Sequence, residues 1–123
     1  MAFLLCVIVA FSGATYVRNY VWHDVLTMAY DRAKKSPGKA RVHNDLGNAL
    51  DEHDFFDEAV RSYQRALELD PQFQIAHFNL GLAYFRHQQF DDAAKEFQVV
   101  LSLNPSDARA RDYLRAIYEI KFR

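Results

Sequence analysis

Apolar residues fall into two regimes along this chain. Residues 2–11 are apolar without interruption, and the uncharged stretch runs on through Val17 to the first charge, Arg18. Further on, apolar positions recur at three- and four-residue steps, the period of a helix with one buried face. Val42, Leu46, Ala49 and Leu50 form one such stripe, and Ala59, Val60, Tyr63, Ala66 and Leu67 form the next. Glu52-His53-Asp54 interrupts the pattern between them, and Asp70-Pro71 ends the second stripe, because proline cannot continue a helix. The plan then recurs: a helix over Ile75–His87, a turn at Gln88-Gln89, a helix over Asp91–Leu103 and a stop at Asn104-Pro105. Further helices are predicted over Val21–Lys35 and Ala108–Phe122, the latter carrying Ala110, Tyr113, Leu114, Ile117 and Tyr118 at helical spacing. The pattern predicts an all-α chain of paired helices.

Sliding the sequence against itself by 34 residues turns this impression into a repeat. Leu46-Gly47 falls on Leu80-Gly81, Ala59 on Ala93, Leu67 and Leu69 on Leu101 and Leu103, and Pro71 on Pro105. Phe56 and Asp57 fall on Phe90 and Asp91, and His43 and His53 fall on His77 and His87. Small residues (Gly47, Ala59, Gly81, Ala93) let paired helices approach, while Tyr63, Tyr84 and Phe97 fill the space between them. Stacked antiparallel helix pairs in a short right-handed superhelix follow from this arrangement.

A 34-residue period with Leu-Gly at positions 7 and 8, Ala at 20, an aromatic at 24 and Pro at 32 resembles the tetratricopeptide repeat (TPR). Residues 40–73 are one unit and 74–107 the second; position 11 is Leu50 and Tyr84, and position 24 is Tyr63 and Phe97. Departures are His43 and His77 at position 4, where the family often has Trp, and Val100 at position 27, where Ala66 keeps the usual residue. The resemblance implies a helix-turn-helix solenoid of two full repeats plus flanking helices. Residues 21–39 would be a degenerate half-repeat helix and linker, and 108–123 a capping helix. Such caps are needed because an end repeat otherwise leaves its apolar face in water.

The apolar N-terminus sits outside that scheme. Seventeen uncharged residues lie at the short end of what crosses a bilayer of about 30 Å. Tyr16, Tyr20 and Trp22 beside Arg18 suit a membrane–water interface. Residues 1–20 are therefore predicted to be a transmembrane anchor, with membrane contact through 2–17, giving a single-pass membrane protein. A secretory signal peptide is the competing reading, because Ser12-Gly13-Ala14 offers small residues after a ten-residue apolar core. The basic flank would place the C-terminal part in the cytoplasm. The junction Tyr16–Trp22, followed by Lys35-Ser36-Pro37 and Ala40–Gly47, is also similar to polytopic membrane proteins, some of them lipid-linked-sugar glycosyltransferases, that carry TPRs after their last span. That similarity implies a C-terminal accessory segment of such a protein, with the repeats on the non-cytoplasmic side.

Charge narrows the partners. Residues 1–41 hold six basic and two acidic residues, 42–106 hold four and eleven, and 107–123 hold five and three. The repeat body is thus acidic, the wrong sign for gripping a phosphate backbone, so nucleic acid is excluded as a partner. The lone Cys6 allows no internal disulfide and no cysteine-based metal site. His43 and His53 are ten residues apart, as are His77 and His87, which is not the spacing that sets two ligands on one helix face. Asp51, Glu52, Asp54, Asp57 and Glu58 gather at a turn, where carboxylates cap the next helix; as exposed groups they have no cause for shifted pKa values. No phosphate loop, nucleophile elbow or HExxH is present. The chain is read as a non-enzyme without metal or cofactor.

Binding is what remains. In the resembled family the first helix of each pair lines the concave surface, and helical geometry aligns positions 2, 5, 9, 12 and 13 there. These are Arg41, Asn44, Asn48, Asp51 and Glu52 in the first unit and Ile75, Phe78, Leu82, Phe85 and Arg86 in the second. The cap adds Arg109, Asp112 and Ala116. Asn44 and Asn48 can bond an extended peptide backbone in both directions, and Phe78, Leu82 and Phe85 could hold apolar anchors. The competing reading makes the aromatic stripe core. Chaperone-binding TPRs hold a C-terminal carboxylate with a basic clamp that includes Lys at position 5; here that position is Asn44. The expected partner is a protein or peptide. With so few repeats, self-association through exposed ends is a third reading.

Overall fold

The computed structural model describes residues 23–123, and within them the chain is six helices joined by short turns, with no strand. The predicted anchor and the first residues of the half-repeat helix lie outside this range. Helix α1 covers residues 23–35. It is followed by α2 (Ala40–Glu52), α3 (Phe56–Leu69), α4 (Gln74–Arg86), α5 (Phe90–Leu103) and α6 (Ala108–Lys121). Helices α4 and α5 each start one residue before the predicted boundary, because Phe73 and Gln89 already take the cap position. No helix among the described residues is long and apolar enough to cross a membrane.

Two kinds of turn alternate, and each has a physical cause. Within a pair, the chain leaves α2 through Asp54 at φ 63° and leaves α4 through Gln88 at φ 60°. In both, the last turn closes by a bond from two residues past the cap: Phe55 N–H to Leu50 O and Gln89 N–H to Tyr84 O, each 2.9 Å. A left-handed residue followed by this long backward bond is the usual way a helix satisfies its last carbonyls, though glycine is the usual occupant. Between pairs, Asp70 and Asn104 end the helix, and the carboxylate or amide oxygen of each accepts the N–H two residues on, from Gln72 and Ser106. The following proline then turns the chain.

A third element ties each turn of the second kind to the helix after it. Position 4 of every unit donates to the carbonyl of the turn proline: His43 Nε2 to Pro37 at 2.8 Å, His77 Nε2 to Pro71 at 2.8 Å, and Arg111 Nη2 to Pro105 at 3.2 Å. The two histidines that depart from the resembled pattern therefore have a common structural use.

The core lies between the helices in two connected clusters. One gathers Ala29 of α1, Leu46, Ala49 and Leu50 of α2, Ala59 and Tyr63 of α3, and Leu80 and Ala83 of α4. The other joins Phe78, Ala93, Phe97, Val100, Ala110, Leu114 and Ile117 across α4, α5 and α6, with Tyr84 touching both. The close approach inside each pair is set by a glycine facing a ring. A Cβ on Gly47 would lie 2.6 Å from the Tyr63 ring, and one on Gly81 would lie 2.9 Å from the Phe97 ring. Neither ring has room to retreat, since both are fully buried.

Gly47→Ala should therefore lower stability by about 1–3 kcal/mol through overpacking. Gly38→Ala, at a site with nothing within 4 Å, should leave it nearly unchanged; urea unfolding of both variants checks the contrast. Gln88→Gly should raise stability by about 0.5–1 kcal/mol by relieving the left-handed backbone, read by the same denaturation.

Candidate functional site: the first-helix face

Helices α2, α4 and α6 follow one another along the stack, with α4 bonded to α2 and ring-packed on α6, and this ladder of first helices carries the groove residues. Its first rung is polar. Asn79 Nδ2 donates to Asn44 Oδ1 at 3.0 Å, which buries Asn44 between α2 and α4. One turn further along α2, Asn48 Oδ1 accepts the Tyr63 hydroxyl at 2.8 Å, so the phenol that packs on Gly47 also fixes the amide. The second rung is ionic. Arg86 on α4 pairs with Asp51 on α2 at 2.5 Å, with the carboxylate side chain 6% exposed and the guanidinium 55% exposed.

The structure revises the reading of Asp51 as an exposed turn carboxylate. It is buried, and burial raises its pKa above the usual carboxylate value even though Arg86 and His87 pull it down. Burial also raises the Tyr63 hydroxyl, with the charge of Asp51 adding to the effect, so the phenol keeps its proton and serves only as a hydrogen-bonding group.

Between α4 and α6 the ladder becomes aromatic. Phe78 is 8% exposed, edge-on to Phe97 at 5.6 Å and to Tyr113 at 6.1 Å, and the Arg109 guanidinium lies 4.4 Å over its ring. Phe85 is half-buried, edge-on to Tyr113 at 5.1 Å and to Phe90 at 5.5 Å. The expected apolar anchor at Phe78 is thus corrected: its ring is already covered by Tyr113, Phe97 and Arg109. Tyr113 stacks flat on Phe97 (5.1 Å, 12°), which completes the sandwich. Leu82 stays half-buried, and Ile75 is 58% exposed at the start of α4. Arg41 and Asp112 are exposed at the two ends of the ladder.

A polar hub at the base of α6 escaped the sequence reading. Asp107 is buried; its carboxylate caps Ala110 N–H, accepts Gln74 Nε2 at 3.1 Å and pairs with Arg109 at 3.3 Å. Burial pushes its pKa up, but the Ala110 N–H and Arg109 outweigh that and hold it below the ordinary value. Asn79 and Tyr113 were also missed. Both sit at position 6, one step from the chosen position 5, on the flank that turns toward the neighbouring unit. Among the described residues no three His, Cys, Asp or Glu side chains gather as metal ligands.

Groups left unsatisfied define what the face can hold. Among the described residues, Asn48 bonds a side-chain partner only through its carbonyl, Asn79 only through its amide N–H, and Arg86 pairs only with Asp51. These suit an extended backbone with donors and acceptors along it.

Residues 44–108 match the sequence profile described as tetratricopeptide repeat. No curated protein matches the chain. Among solved structures, the chain is similar to MamA at TM-score 0.78 and 26% identity, covering 89% of this chain and 64% of that one. It thus spans less than two-thirds of MamA's length. The first TPR of Spaghetti (RPAP3) bound to the HSP90 peptide SRMEEVD superposes at TM-score 0.78 with 20% identity, covering 91% of this chain and 89% of that one. The TPR2B domain of yeast Sti1, in complex with an Hsp70 peptide, gives 0.74 and 21% over 87% and 90%. At such identities the last two show a shared fold.

Asp51→Asn should be neutral or slightly stabilising at neutral pH, because it removes a charge that burial disfavours. Arg86→Met should instead lose about 1–2 kcal/mol, less than for a fully enclosed pair given the exposed guanidinium. Since the folded state holds the Asp51 proton more tightly than the unfolded chain, that loss should shrink as pH falls toward the carboxylate range. Denaturation of both variants across pH measures it.

Proposed function

Because the chain belongs to the tetratricopeptide repeat family, a conclusion carried by the profile match over residues 44–108, we propose that it is a non-catalytic module whose first-helix face binds an extended peptide. The observation that carries this reading is the pair of polar and ionic rungs: Asn48, Asn79 and Arg86 are fixed by Tyr63, Asn44 and Asp51, and among the described residues each keeps further bonding capacity. Side chains locked by neighbours lose little entropy on binding, which favours recognition by the ladder over recognition by free surface residues. Structural neighbours support the class of ligand, since the RPAP3 and Sti1 domains are described in complex with chaperone peptides. Ile75 and Leu82 offer apolar contact between the rungs, and Arg41, Arg109 and Asp112 stand at the margins. Phe78 and Phe85 support the face from beneath.

Tethering is proposed on the sequence pattern alone: residues 2–17 would hold the module at a membrane. In carbonate extraction of the expressed chain, uncleaved product should stay in the membrane pellet. A soluble product starting near Thr15 would replace the anchor by a signal peptide.

For the groove, peptides would be selected from a random library on the immobilised chain and their affinity compared with variants. Asn48→Ala with Asn79→Ala should weaken a selected peptide at least tenfold, with unchanged helicity by circular dichroism. Full binding by that double variant would move the site off this face. Phe78→Ala is unsuitable here, since emptying its core position should cost about 3–5 kcal/mol of stability.

A further inference from the structure

Helix α1 stands in the stack where α3 and α5 stand in the full units, as the second helix of a pair. By the 34-residue period, Val25 falls on Ala59 and Ala93, and Arg32 falls on Ala66 and Val100. Those four residues are fully buried within their helix pairs. On α1 the same two sites lie open: Val25 is 47% exposed, and Arg32 is exposed as well. Met28, 57% exposed, and Lys35 share their line, because steps of three and four residues keep to one side of a helix. The other side of α1, through Leu26, Ala29 and Ala33, packs into the core.

The cations at this end of the molecule are uncommitted. Arg32, Lys34, Lys35, Lys39 and Arg41 are all exposed, and among the described residues none of them enters an ion pair. Residues 42–123 hold nine basic residues, and seven of these are engaged. Six pair with carboxylates, and Arg111 bonds the Pro105 carbonyl. Between residues 23 and 41 the five cations meet two carboxylates, Asp24 and Asp31, whereas 42–123 sets nine cations against fourteen carboxylates. Asp24 and Asp31 lie seven residues apart on a line beside that of Val25 and Arg32, so a partner of the cations takes the Val25 side and leaves that line to water. Charge polarised in this way turns the α1 end toward an anionic surface.

We propose that the open side of α1 seats on an anionic membrane, with Val25 and Met28 entering the headgroup boundary and Arg32, Lys34, Lys35 and Lys39 meeting lipid phosphates. The seat builds on the tether proposed for residues 2–17 and gives it a lipid class. Six chain steps separate Val17 from the start of α1, a reach of at most about 20 Å, so a membrane-held segment keeps the first turn of α1 near the headgroups. The helix itself, residues 23–35, is about 20 Å long, and lying flat it brings its basic end to the same surface. A protein helix is a poorer occupant. Packed as in the full units, it would enclose the Arg32 guanidinium at a site where Ala66 and Val100 are fully buried, and a buried cation without a partner is strongly destabilising. Phosphates pair that charge while Val25 and Met28 leave water.

Fluorescence of the full chain in vesicles tests the seat. On a Cys6→Ser background, Met28→Cys carries an environment-sensitive fluorophore, and Glu119→Cys on the exposed side of α6 carries it as the control. In phosphatidylcholine vesicles with about a quarter phosphatidylglycerol, a headgroup-linked quencher should dim the label at 28 and spare the label at 119. The quenching should fall sharply in phosphatidylcholine alone and at high salt. Arg32→Glu with Lys35→Glu should lower the seated population about tenfold or more in the anionic vesicles, with circular dichroism unchanged. Flotation separates seat from tether. A chain that floats with phosphatidylcholine vesicles, yet whose label at 28 stays bright in anionic ones, keeps the tether and overturns the seat. A chain that floats only with anionic vesicles, and no longer does so after the double substitution, keeps the seat and loses the tether. Flotation with neither overturns both. Quenching that survives the double substitution overturns the seat, and so does a label at 28 that becomes buried without lipid as protein concentration rises, which would make a second copy the occupant.

Discussion

The distance between the two helices of a pair is the constraint on which everything else rests. It is set by an absent atom: Gly47 and Gly81 carry no Cβ, and the rings of Tyr63 and Phe97 occupy the space. With the backbones drawn together there, Ala59, Ala66, Ala93 and Val100 become fully buried, and small residues are the ones that fit. The same contact reaches the functional face. The Tyr63 ring that packs on Gly47 also donates its hydroxyl to Asn48, so a packing decision in the core fixes the orientation of a half-buried amide on α2.

Repeat identity and repeat difference then divide the work. Positions that recur every 34 residues build the turns and the pair spacing, while positions that change give each rung its chemistry. Position 5 is Asn44 in the first unit and Phe78 in the second, and position 6 of the following unit answers it in kind, with Asn79 opposite the amide and Tyr113 beside the ring. Amide meets amide, and aromatic meets aromatic. The ladder is therefore polar at one joint and apolar at the next, on a backbone that is nearly the same at both.

How much of this was legible follows from the range of each interaction. The helix pairs could be read because a one-residue change of phase would expose a whole apolar stripe, so Leu46, Ala49 and Leu50 or Ala59, Tyr63 and Ala66 leave little choice. The family resemblance rested on those same residues, and the match over 44–108 agrees with it. The face was legible only in outline. Asp51 sits in a run of carboxylates that reads as solvated, and its burial depends on Arg86, 35 residues away. Phe78 reads equally well as anchor or core until Tyr113 and Arg109 are seen to cover it. Helical spacing identifies the side of a helix, but which neighbour closes over that side is set by the angle between units, and that angle is written in contacts far apart in the chain.

The proline turns have a consequence for how the array comes together. Each turn carbonyl is satisfied by a side chain from the first turn of the next helix: His43, His77 and Arg111. A pair therefore cannot finish its exit loop until its successor has begun to wind, and a winding helix that lacks the loop before it has nowhere to place that donor. Such reciprocal completion raises the free energy of any state with a boundary between folded and unfolded units. Partly folded chains should accordingly be rare among intermediates, and the described helices should melt together rather than pair by pair.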